Sequence, residues 1–274
     1  MKKPGVVAYI ESPYQILGAY EYGMQHNVHV DWIIRKSHPL NNSQIRLTLD
    51  YLEIDKNHVR LMPEISSKSA LIWVMLLLRI TFRRVLLGDP GSKVGRLFLR
   101  KIIIDDGTYN IQYIRKFPRK EYWTIFDSRA QNNFDYLNLK QKLNSVKLQE
   151  SDDVFFIGQP LSELNILSEQ KYLGVIESMS KKNRIIYFPH RRESKEKIRQ
   201  LSVSVHHSDV PLELELLNIG KRPKLIVGFY STALYSLKLL YGINSCCIKV
   251  ATGNKDIDDI YYFFEKNGLK VCVV

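Results

Sequence analysis

Two adjacent carboxylates, Asp105 and Asp106, directly follow residues 101–104, a lysine and three isoleucines, and precede Gly107. This β-branched run predicts a buried strand, and ligands bind at the carboxyl ends of strands in an open α/β sheet. A second carboxylate beside the first raises its pKa toward the range that general base catalysis uses. The pair is therefore a candidate base for a hydroxyl group, although either residue alone could instead cap the following helix.

A histidine and two arginines occupy a similar position further along the chain. Residues 185–188 predict a strand. Pro189, His190, Arg191 and Arg192 follow it and belong to a charged segment that can begin a helix at once. At the end of a parallel strand, His190 would lie at the mouth of a ligand-binding cleft. This combination suits an anionic leaving group; the alternative is an ordinary surface turn that contains a histidine.

Hydroxyl side chains begin two of the predicted helices. Ser231 and Thr232 follow Gly228 at the exit of an apolar strand, so backbone N–H groups and two hydroxyls can converge on a phosphate. The alternative is a plain N-cap. Ser12 predicts the N-cap of another helix, with proline at the first helical position and Gln15 in the first turn. The N-terminus of this helix would point toward a bound ligand.

Strands and helices alternate at the spacing of βαβ units, which predicts parallel sheets. The predicted strands are residues 5–10, 28–34, 58–62, 85–90, 101–104, 154–157, 185–188, 201–205, 224–227, 243–250 and 269–274. Besides the helices that begin near Ser12, after His190 and at Ser231, the predicted helices are residues 42–52, 66–84, 94–99, 162–178, 211–217 and 256–267. Residues 117–153 read as a loop-rich transition, so we predict two domains, residues 1–150 and 151–274.

The composition is that of a globular protein, with 45% of its 274 residues hydrophobic. The 40 Lys and Arg residues against 28 Asp and Glu residues give a formal charge of +12, which favours an anionic partner. Three cysteines without metal-site spacing favour a reducing compartment. No signal-peptide core follows the N-terminus, and the apolar segment 70–78 is too short to span a bilayer. That segment fits either a helix on a membrane surface or a buried helix.

Several function classes lack their motifs. The sequence contains no glycine-rich phosphate loop, no dinucleotide fingerprint and no Gly-x-Ser-x-Gly, so kinase, dinucleotide-cofactor and serine-hydrolase functions have no support. Asp256 and Asp258 have metal-motif spacing, but they fall in the first turn of a helix, where acidic residues stabilise the dipole. His206 and His207 are not at zinc-ligand spacing with any cysteine. We predict no metal ligand.

Taken in order, the motifs resemble those of bacterial sialyltransferases. They are Ser-Pro-x-Gln at residues 12–15, Asp-Asp-Gly at 105–107, Pro-His-Arg-x-Glu at 189–193, Pro-x-Glu at 211–213 and Gly-x-x-Ser-Thr-Ala-Leu at 228–234. They are similar to motifs of the lipooligosaccharide sialyltransferase family (glycosyltransferase family 52) and, more distantly, of the bacterial polysialyltransferases. The latter have His-Pro where this chain has Pro189-His190.

The resemblance implies an α/β GT-B fold, in which two Rossmann-like domains with parallel sheets face a central cleft. The N-terminal domain would hold the acceptor and the C-terminal domain the CMP-sugar. Members of the family transfer sialic acid from CMP-sialic acid with inversion and without a metal or other cofactor. Some members of the family form homodimers, so the resemblance leaves a homodimer open for this chain.

The resemblance also implies roles, position by position. Asp105 would be the catalytic base, with Asp106 as the alternative. His190 would donate a hydrogen bond or a proton to the leaving phosphate. Glu213, with Glu215 as the alternative, would hold the ribose hydroxyls. The other residues implied are Ser231, Thr232, Pro189, Arg191 and Gly228 on the donor side, and Ser12, Gln15 and Gly107 in the N-terminal domain.

Residues and resemblance together predict a cytoplasmic transferase, peripheral on the inner face of the inner membrane. It would move sialic, pseudaminic or legionaminic acid from a CMP-activated donor to a hydroxyl of a bacterial capsule or lipooligosaccharide. Two alternatives stay open. The first alternative is that the protein is a GT-B enzyme with a different donor, such as CMP-Kdo or a UDP-sugar. A nucleic-acid-binding protein would account for the charge of +12 but leaves Asp105 and Asp106 without a role.

Overall fold

The chain divides into two compact units, residues 1–142 with 209–211, and residues 143–208 with 212–274. The computed structural model describes residues 5–62, 83–91, 95–126, 134–143 and 146–273. The domain boundary predicted at residue 150 falls inside the first strand of the second unit, Gln149–Ile157.

The first unit is built on a six-stranded parallel sheet with the order β3-β2-β1-β4-β5-β6. This is the doubly wound order, which reverses between β1 and β4. The strands are β1 (Val6–Ile10), β2 (Val30–Arg35), β3 (Val59–Met62), β4 (Arg84–Leu87), β5 (Arg100–Ile104) and β6 (Tyr122–Trp123). Among the described residues of this unit, the helices are α1 (Pro13–His26), α2 (Pro39–Tyr51), α3 (Tyr109–Lys116) and α4 (Leu137–Leu143), with 3-10 turns at Lys56–His58 and Gly95–Leu97.

The second unit repeats this topology, with the strand order β12-β11-β10-β7-β8-β9. Its order reverses between β7 and β10. The strands are β7 (Gln149–Ile157), β8 (Ile185–Phe188), β9 (Ser204–Val205), β10 (Lys221–Gly228), β11 (Ser245–Lys249) and β12 (Lys270–Val273). The helices are α5 (Glu169–Ser180), α6 (Lys195–Arg199), α7 (Leu212–Ile219), α8 (Thr232–Tyr241) and α9 (Lys255–Lys266). The core between sheet and helices includes the fully buried Phe156, Tyr172, Tyr187 and Phe229.

The central strands β1 and β4 are buried along most of their length. A parallel sheet covered on both faces needs such continuous apolar runs, which is why these strands were recognisable in the sequence. The predicted alternation and parallel pairing are confirmed in both units. At the start of α9, Asn254 accepts from the Asp256 N–H at 2.9 Å, so the acidic residues there lie in a capped first turn.

Two predictions of local structure were wrong. The helix predicted at residues 162–178 begins at Glu169, because turns occupy residues 161–167 and the Ser168 side chain caps the helix. A turn, not a helix, follows His190, and the five-residue helix α6 begins only after the Ser194 cap. Half of the described residues in the segment 117–153 lie outside strands and helices, and the segment contains β6, α4 and the start of β7.

Two predicted helices fall partly outside the described residues. Of the helix predicted at residues 66–84, residues 66–82 lie outside them, and Arg84 begins β4. Of the helix predicted at residues 94–99, residue 94 lies outside them, and Gly95–Leu97 form a 3-10 turn. None of the described helices combines the length and apolar character needed to cross a bilayer.

Candidate active site

Asp106 lies in the turn after β5 and is hydrogen-bonded to the start of α1. Ser12 Oγ donates a hydrogen bond of 2.9 Å to Asp106 Oδ1. Ser12 has the extended N-cap conformation, but its side chain makes no capping hydrogen bond. The Asp106 N–H donates to Asn110 Oδ1 at 3.0 Å, and Gly107 has a φ of 95°, which favours glycine. The structure thus brings Ser12, Asp106 and Gly107 together.

Asp105 is buried, with 1% of its surface exposed. Its Oδ1 accepts from Thr124 Oγ1 at 2.6 Å, and its Oδ2 accepts from the Ile125 N–H at 2.8 Å. Burial raises the pKa of Asp105 to about 7; the two hydrogen bonds oppose this rise and the charge of Asp106 adds to it. A carboxyl group with this pKa exchanges protons near neutral pH, as a general base must.

Gln15 lies where the strand order of the first sheet reverses. Its side chain is buried, and its Oε1 accepts from the Glu11 N–H at 2.8 Å. Its Nε2 has no hydrogen-bond partner among the described residues. Gly88, just after β4, permits this arrangement, because a Cβ there would lie 2.2 Å from Gln15 Nε2 and 2.9 Å from Asp106 Cβ. A buried donor without a partner is costly, so this amide is a candidate ligand contact.

Carboxylates dominate the charge at this edge of the first sheet. Burial raises the pKa of Glu11; the ion pair with Arg35 opposes the rise, and the charges of Asp106 and Asp89 add to it. Asp105 adds a further carboxyl group. Carboxylates accept hydrogen bonds and repel anions. This edge therefore suits a hydroxyl group, which donates a hydrogen bond, better than a phosphate.

The raised pKa of Asp105 predicts a pH-dependent stability. The folded state binds the proton of Asp105 more tightly than the unfolded chain, whose carboxyl has its ordinary pKa of 3.8. This contribution is therefore fully present below pH about 4 and is lost as pH rises through about 7. Urea unfolding should show that wild type loses free energy of unfolding relative to Asp105→Asn over this range. A constant difference between the two proteins would contradict the raised pKa.

His190 follows β8 and is uncharged at neutral pH. Its Nδ1 accepts a hydrogen bond of 3.1 Å from the Arg192 N–H, so the proton of the neutral ring is on Nε2. Burial lowers the pKa of His190 to about 4, and the charges of Arg191 and Arg192 add to the shift. Of the two predicted roles, this geometry favours donation of a hydrogen bond over donation of a proton.

A buried ion pair fixes the loop that contains His190. Glu193 Oε2 accepts from the His190 N–H at 2.5 Å, and Glu193 Oε1 accepts from Tyr187 OH at 2.5 Å. Lys197 Nζ lies 2.9 Å from Glu193 Oε1 and 2.9 Å from Glu163 Oε2. The side chains of Glu193 and Lys197 are 0% and 1% exposed. Because a buried charge must keep its partners, this arrangement holds the His190 backbone in one position.

Two buried tyrosines link this ion pair to the neighbouring strands. Tyr172 OH and Tyr187 OH are 2.8 Å apart. The Gln159 N–H, just beyond β7, donates to Tyr172 OH at 2.9 Å. The Tyr230 N–H, just beyond β10, donates to Gln159 Oε1 at 3.0 Å. One hydrogen-bonded network therefore joins the carboxyl ends of β7, β8 and β10.

Gly158 gives a direct test of this network, because a Cβ there would lie 2.3 Å from Glu193 Oε2 and 2.6 Å from Tyr187 OH. Gly158→Ala should displace the Glu193 carboxylate and lower Tm, since overpacking costs about 1–3 kcal/mol. The matched control is Gly174→Ala in α5, where a Cβ meets nothing within 4 Å. Alanine there should stabilise the helix by about 0.5–1 kcal/mol. Equal Tm values in a thermal melt would contradict the packing argument.

Other predicted donor-binding residues lie at the same edge of the second sheet. Ser231 is the N-cap of α8, with its Oγ accepting from the Ala233 N–H at 3.3 Å, and Thr232 is the first residue of that helix. Gly228 ends β10. Pro189 and Arg191 flank His190. The strand ends therefore bring these residues to the edge that carries His190.

Glu213 and Glu215 are only 3% and 5% exposed. Ser236 Oγ donates to the Glu213 carboxylate, and burial raises the pKa of Glu213. Glu215 Oε1 lies 2.8 Å from His206 Nε2 and its Oε2 accepts from Asn218 Nδ2 at 3.2 Å. The structure gives both carboxylates protein partners, and contact with a ribose stays a prediction for each.

Sequence reasoning assigned no role to Glu193, Lys197, Gln159 or Gly88. One signal was present, because Glu193 and Lys197 have the i, i+4 spacing of a helical ion pair. The importance of Gly88 and Gln159 arises from contacts between strands that are distant in sequence.

The sequence from residue 107 to residue 249 matches the model of the alpha-2,8-polysialyltransferase family (POLYST), which is more than half of the chain. The match includes His190 and Ser231, and it begins just after Asp105 and Asp106. No curated protein matches the sequence.

Solved structures share the fold at low sequence identity. The UDP-GlcNAc 2-epimerase of Methanocaldococcus jannaschii, in complex with UDP-GlcNAc and UDP, has a TM-score of 0.58 and 12% identity, covering 99% of this chain and 89% of that one. MnaA of S. aureus with UDP has a TM-score of 0.55 and 12% identity, covering 97% and 88%. Spinosyn rhamnosyltransferase SpnG, complexed with thymidine diphosphate, has a TM-score of 0.52 and 11% identity, covering 99% and 86%. These likenesses and the two doubly wound sheets confirm the GT-B fold.

Proposed function

The chain belongs to the alpha-2,8-polysialyltransferase family and is a glycosyltransferase, and from this premise we propose that it transfers a sialic acid, or the related pseudaminic or legionaminic acid, from a CMP-activated donor to a glycan hydroxyl. The observation that carries the proposal is a difference in charge between the two sheets, at the edge where the strands of each sheet have their carboxyl ends. Carboxylates line the edge of the first sheet, whereas an uncharged histidine followed by two arginines lies at the edge of the second.

The donor phosphate would bind at the edge of the second sheet. His190 Nε2–H can donate to a phosphate oxygen, and Arg191 and Arg192 contribute positive charge beside it. Ser231 accepts from the helix backbone, which leaves its O–H proton available to a phosphate oxygen. The N-terminus of α8 favours an anion through its dipole. Binding of the ribose by Glu213 or Glu215 is part of the same proposal.

The acceptor glycan would bind at the edge of the first sheet. Asp105, with a pKa raised to about 7, is the proposed base for the acceptor hydroxyl. Gln15 Nε2, which has no partner in the described part of the chain, can donate to an oxygen of the sugar. Asp106, held by Ser12, keeps a negative charge next to the base and so favours protonation of Asp105 as the reaction proceeds.

In the proposed reaction, the acceptor oxygen bonds to the anomeric carbon of the donor and its proton passes to Asp105. The bond between that carbon and the phosphate oxygen breaks, and both of its electrons leave with CMP. Direct displacement inverts the anomeric configuration. The donor carbon passes through an oxocarbenium-like state, so positioning and hydrogen bonds to the phosphate supply the catalysis without a metal.

Thermal melts with CMP, UMP, UDP and GDP test the donor class, each with and without EDTA. A ligand at a hundred times its Kd stabilises the folded state by about 2.7 kcal/mol, which is measurable. We expect CMP alone to raise Tm, by the same increment with EDTA. A response to UDP alone would favour the alternative GT-B donor. Stabilisation by any polynucleotide, with none by nucleotides, would favour the nucleic-acid-binding alternative.

The acceptor, taken as a bacterial capsule or lipooligosaccharide, is part of this proposal. So are a homodimer and a cytoplasmic location on the inner membrane surface. The apolar segment that suggested membrane contact, residues 70–78, lies outside the described residues.

A further inference from the structure

Two histidines and an aspartate lie close together at the edge of the first sheet where its strands begin. His29 precedes β2, Asp31 lies in β2, and His58 immediately precedes β3. The parallel register pairs Trp32 with Val59, which brings Asp31 beside His58. Strand starts and strand ends lie at opposite edges of a parallel sheet, so this cluster is separate from Asp105, which follows the end of β5.

The spacing of the three groups fits a tetrahedral metal ion. His29 Nε2 lies 3.0 Å from His58 Nδ1 and 3.2 Å from Asp31 Oδ1, and His58 Nδ1 lies 3.4 Å from the same oxygen. Ligand atoms at the usual bond length of about 2.0–2.2 Å from zinc are about 3.3–3.6 Å apart at tetrahedral angles. A triangle of hydrogen bonds would leave two ring nitrogens competing for one oxygen, whereas one cation satisfies all three atoms.

Neighbouring charges orient the ligand atoms. Arg83 Nη1 lies 2.5 Å from Asp31 Oδ2, which leaves Oδ1 directed at the two histidines. Asp55 Oδ2 lies 3.8 Å from His58 Nε2, on the side of the ring opposite Nδ1. This distance is too long for a hydrogen bond, so Asp55 contributes negative charge behind the ring and does not fix its tautomer.

We propose that His29, Asp31 and His58 bind a zinc-class divalent cation that fastens the edge strand β3 to β2. Two imidazoles and one carboxylate suit zinc, cobalt or nickel, whereas magnesium and calcium prefer oxygen ligands alone. Three protein ligands leave a coordination position for water. Both histidines also line a cavity of about 480 Å³, which gives the ion a route from solvent. No metal ligand was expected from the sequence, and the zinc-class site departs from that expectation.

Titration of the chelator-treated full chain with zinc chloride, followed by calorimetry, tests the proposal. We expect one equivalent to bind and to raise Tm, and cobalt(II) to give the visible absorption of a tetrahedral site. His29→Ala and His58→Ala should each weaken zinc binding by more than about 100-fold, beyond the loss from removing a supporting residue. These side chains are 48% and 41% exposed, so alanine removes little packing.

Two controls make the result specific. His207→Ala removes an exposed histidine of the second unit and should leave zinc binding unchanged. Cys246→Ser removes the other candidate for a soft metal, since Cys246 Sγ lies 3.1 Å from Cys272 Sγ. No saturable zinc binding, binding retained in both histidine variants, or binding lost in Cys246→Ser would overturn the proposal. The stabilisation by CMP should be the same in His58→Ala as in wild type, which separates this site from the proposed transferase function.

Discussion

Replacing Asp105 by asparagine is expected to lower kcat for transfer by about 10²- to 10⁴-fold, the range typical of a lost general base. Asparagine keeps the size of the side chain and can still accept from Thr124 Oγ1, but it does not take the acceptor proton. CMP affinity should stay nearly unchanged, because the phosphate contacts are assigned to the second unit. Steady-state transfer kinetics and calorimetry with CMP provide the two measurements.

Asp106→Asn is the matched control for Asp105→Asn. Asp106 is exposed, bonded to Ser12 and raises the pKa of its neighbour. We expect a smaller loss of kcat for Asp106→Asn. The base works when ionised, so wild-type kcat should fall as pH drops through about 7. In Asp106→Asn this fall should move to lower pH. A larger loss in Asp106→Asn than in Asp105→Asn would assign the base to Asp106, and loss of CMP binding in Asp105→Asn would contradict the acceptor-side role.

Replacing His190 by alanine is expected to weaken CMP binding and kcat/KM for the donor by about 10- to 100-fold. A hydrogen bond to a charged group contributes about 1.5–3 kcal/mol, and about 1.4 kcal/mol corresponds to a factor of ten. Calorimetry with CMP measures the first quantity and initial rates at low donor concentration the second. Wild-type kinetics in His190→Ala would remove His190 from the site.

The pKa of about 4 for His190 predicts that the ring binds the phosphate as a neutral donor. His190→Asn, which can donate a hydrogen bond but no proton at neutral pH, should therefore retain more activity than His190→Ala. The exposed His207 gives the control, since His207→Ala should behave as wild type. If His190→Asn and His190→Ala are equally impaired and the rate of wild type depends on a protonated histidine, His190 acts as a proton donor instead.

The features that sequence predicted best depend on consecutive residues. The run before Asp105 is apolar because β5 is buried on both faces, and its end places the carboxylate at the sheet edge. The same logic located His190 after β8. The helix after His190 was predicted too early, because the backbone first makes the turn in which the Glu193 N–H donates to His190 O.

Contacts between distant segments were not predictable in this way. Thr124 meets Asp105 only because β5 and β6 pair in parallel, with Ile104 beside Trp123. Asp31 meets His58 only through the register of β2 and β3, which no spacing along the chain reveals. The burial of Glu213 likewise depends on α8 packing over α7, so its partner Ser236 was not foreseen.

The most direct test of the central claim is the release of CMP or UDP from a panel of activated donors, followed by chromatography. The panel contains CMP-sialic, CMP-pseudaminic and CMP-legionaminic acids, CMP-Kdo and UDP-sugars, each with a bacterial surface glycan as acceptor. The proposed function predicts turnover of at least one CMP-nonulosonic acid, with the sugar recovered on the acceptor, and loss of that turnover in Asp105→Asn. Turnover of a UDP-sugar or of CMP-Kdo alone would contradict the claim.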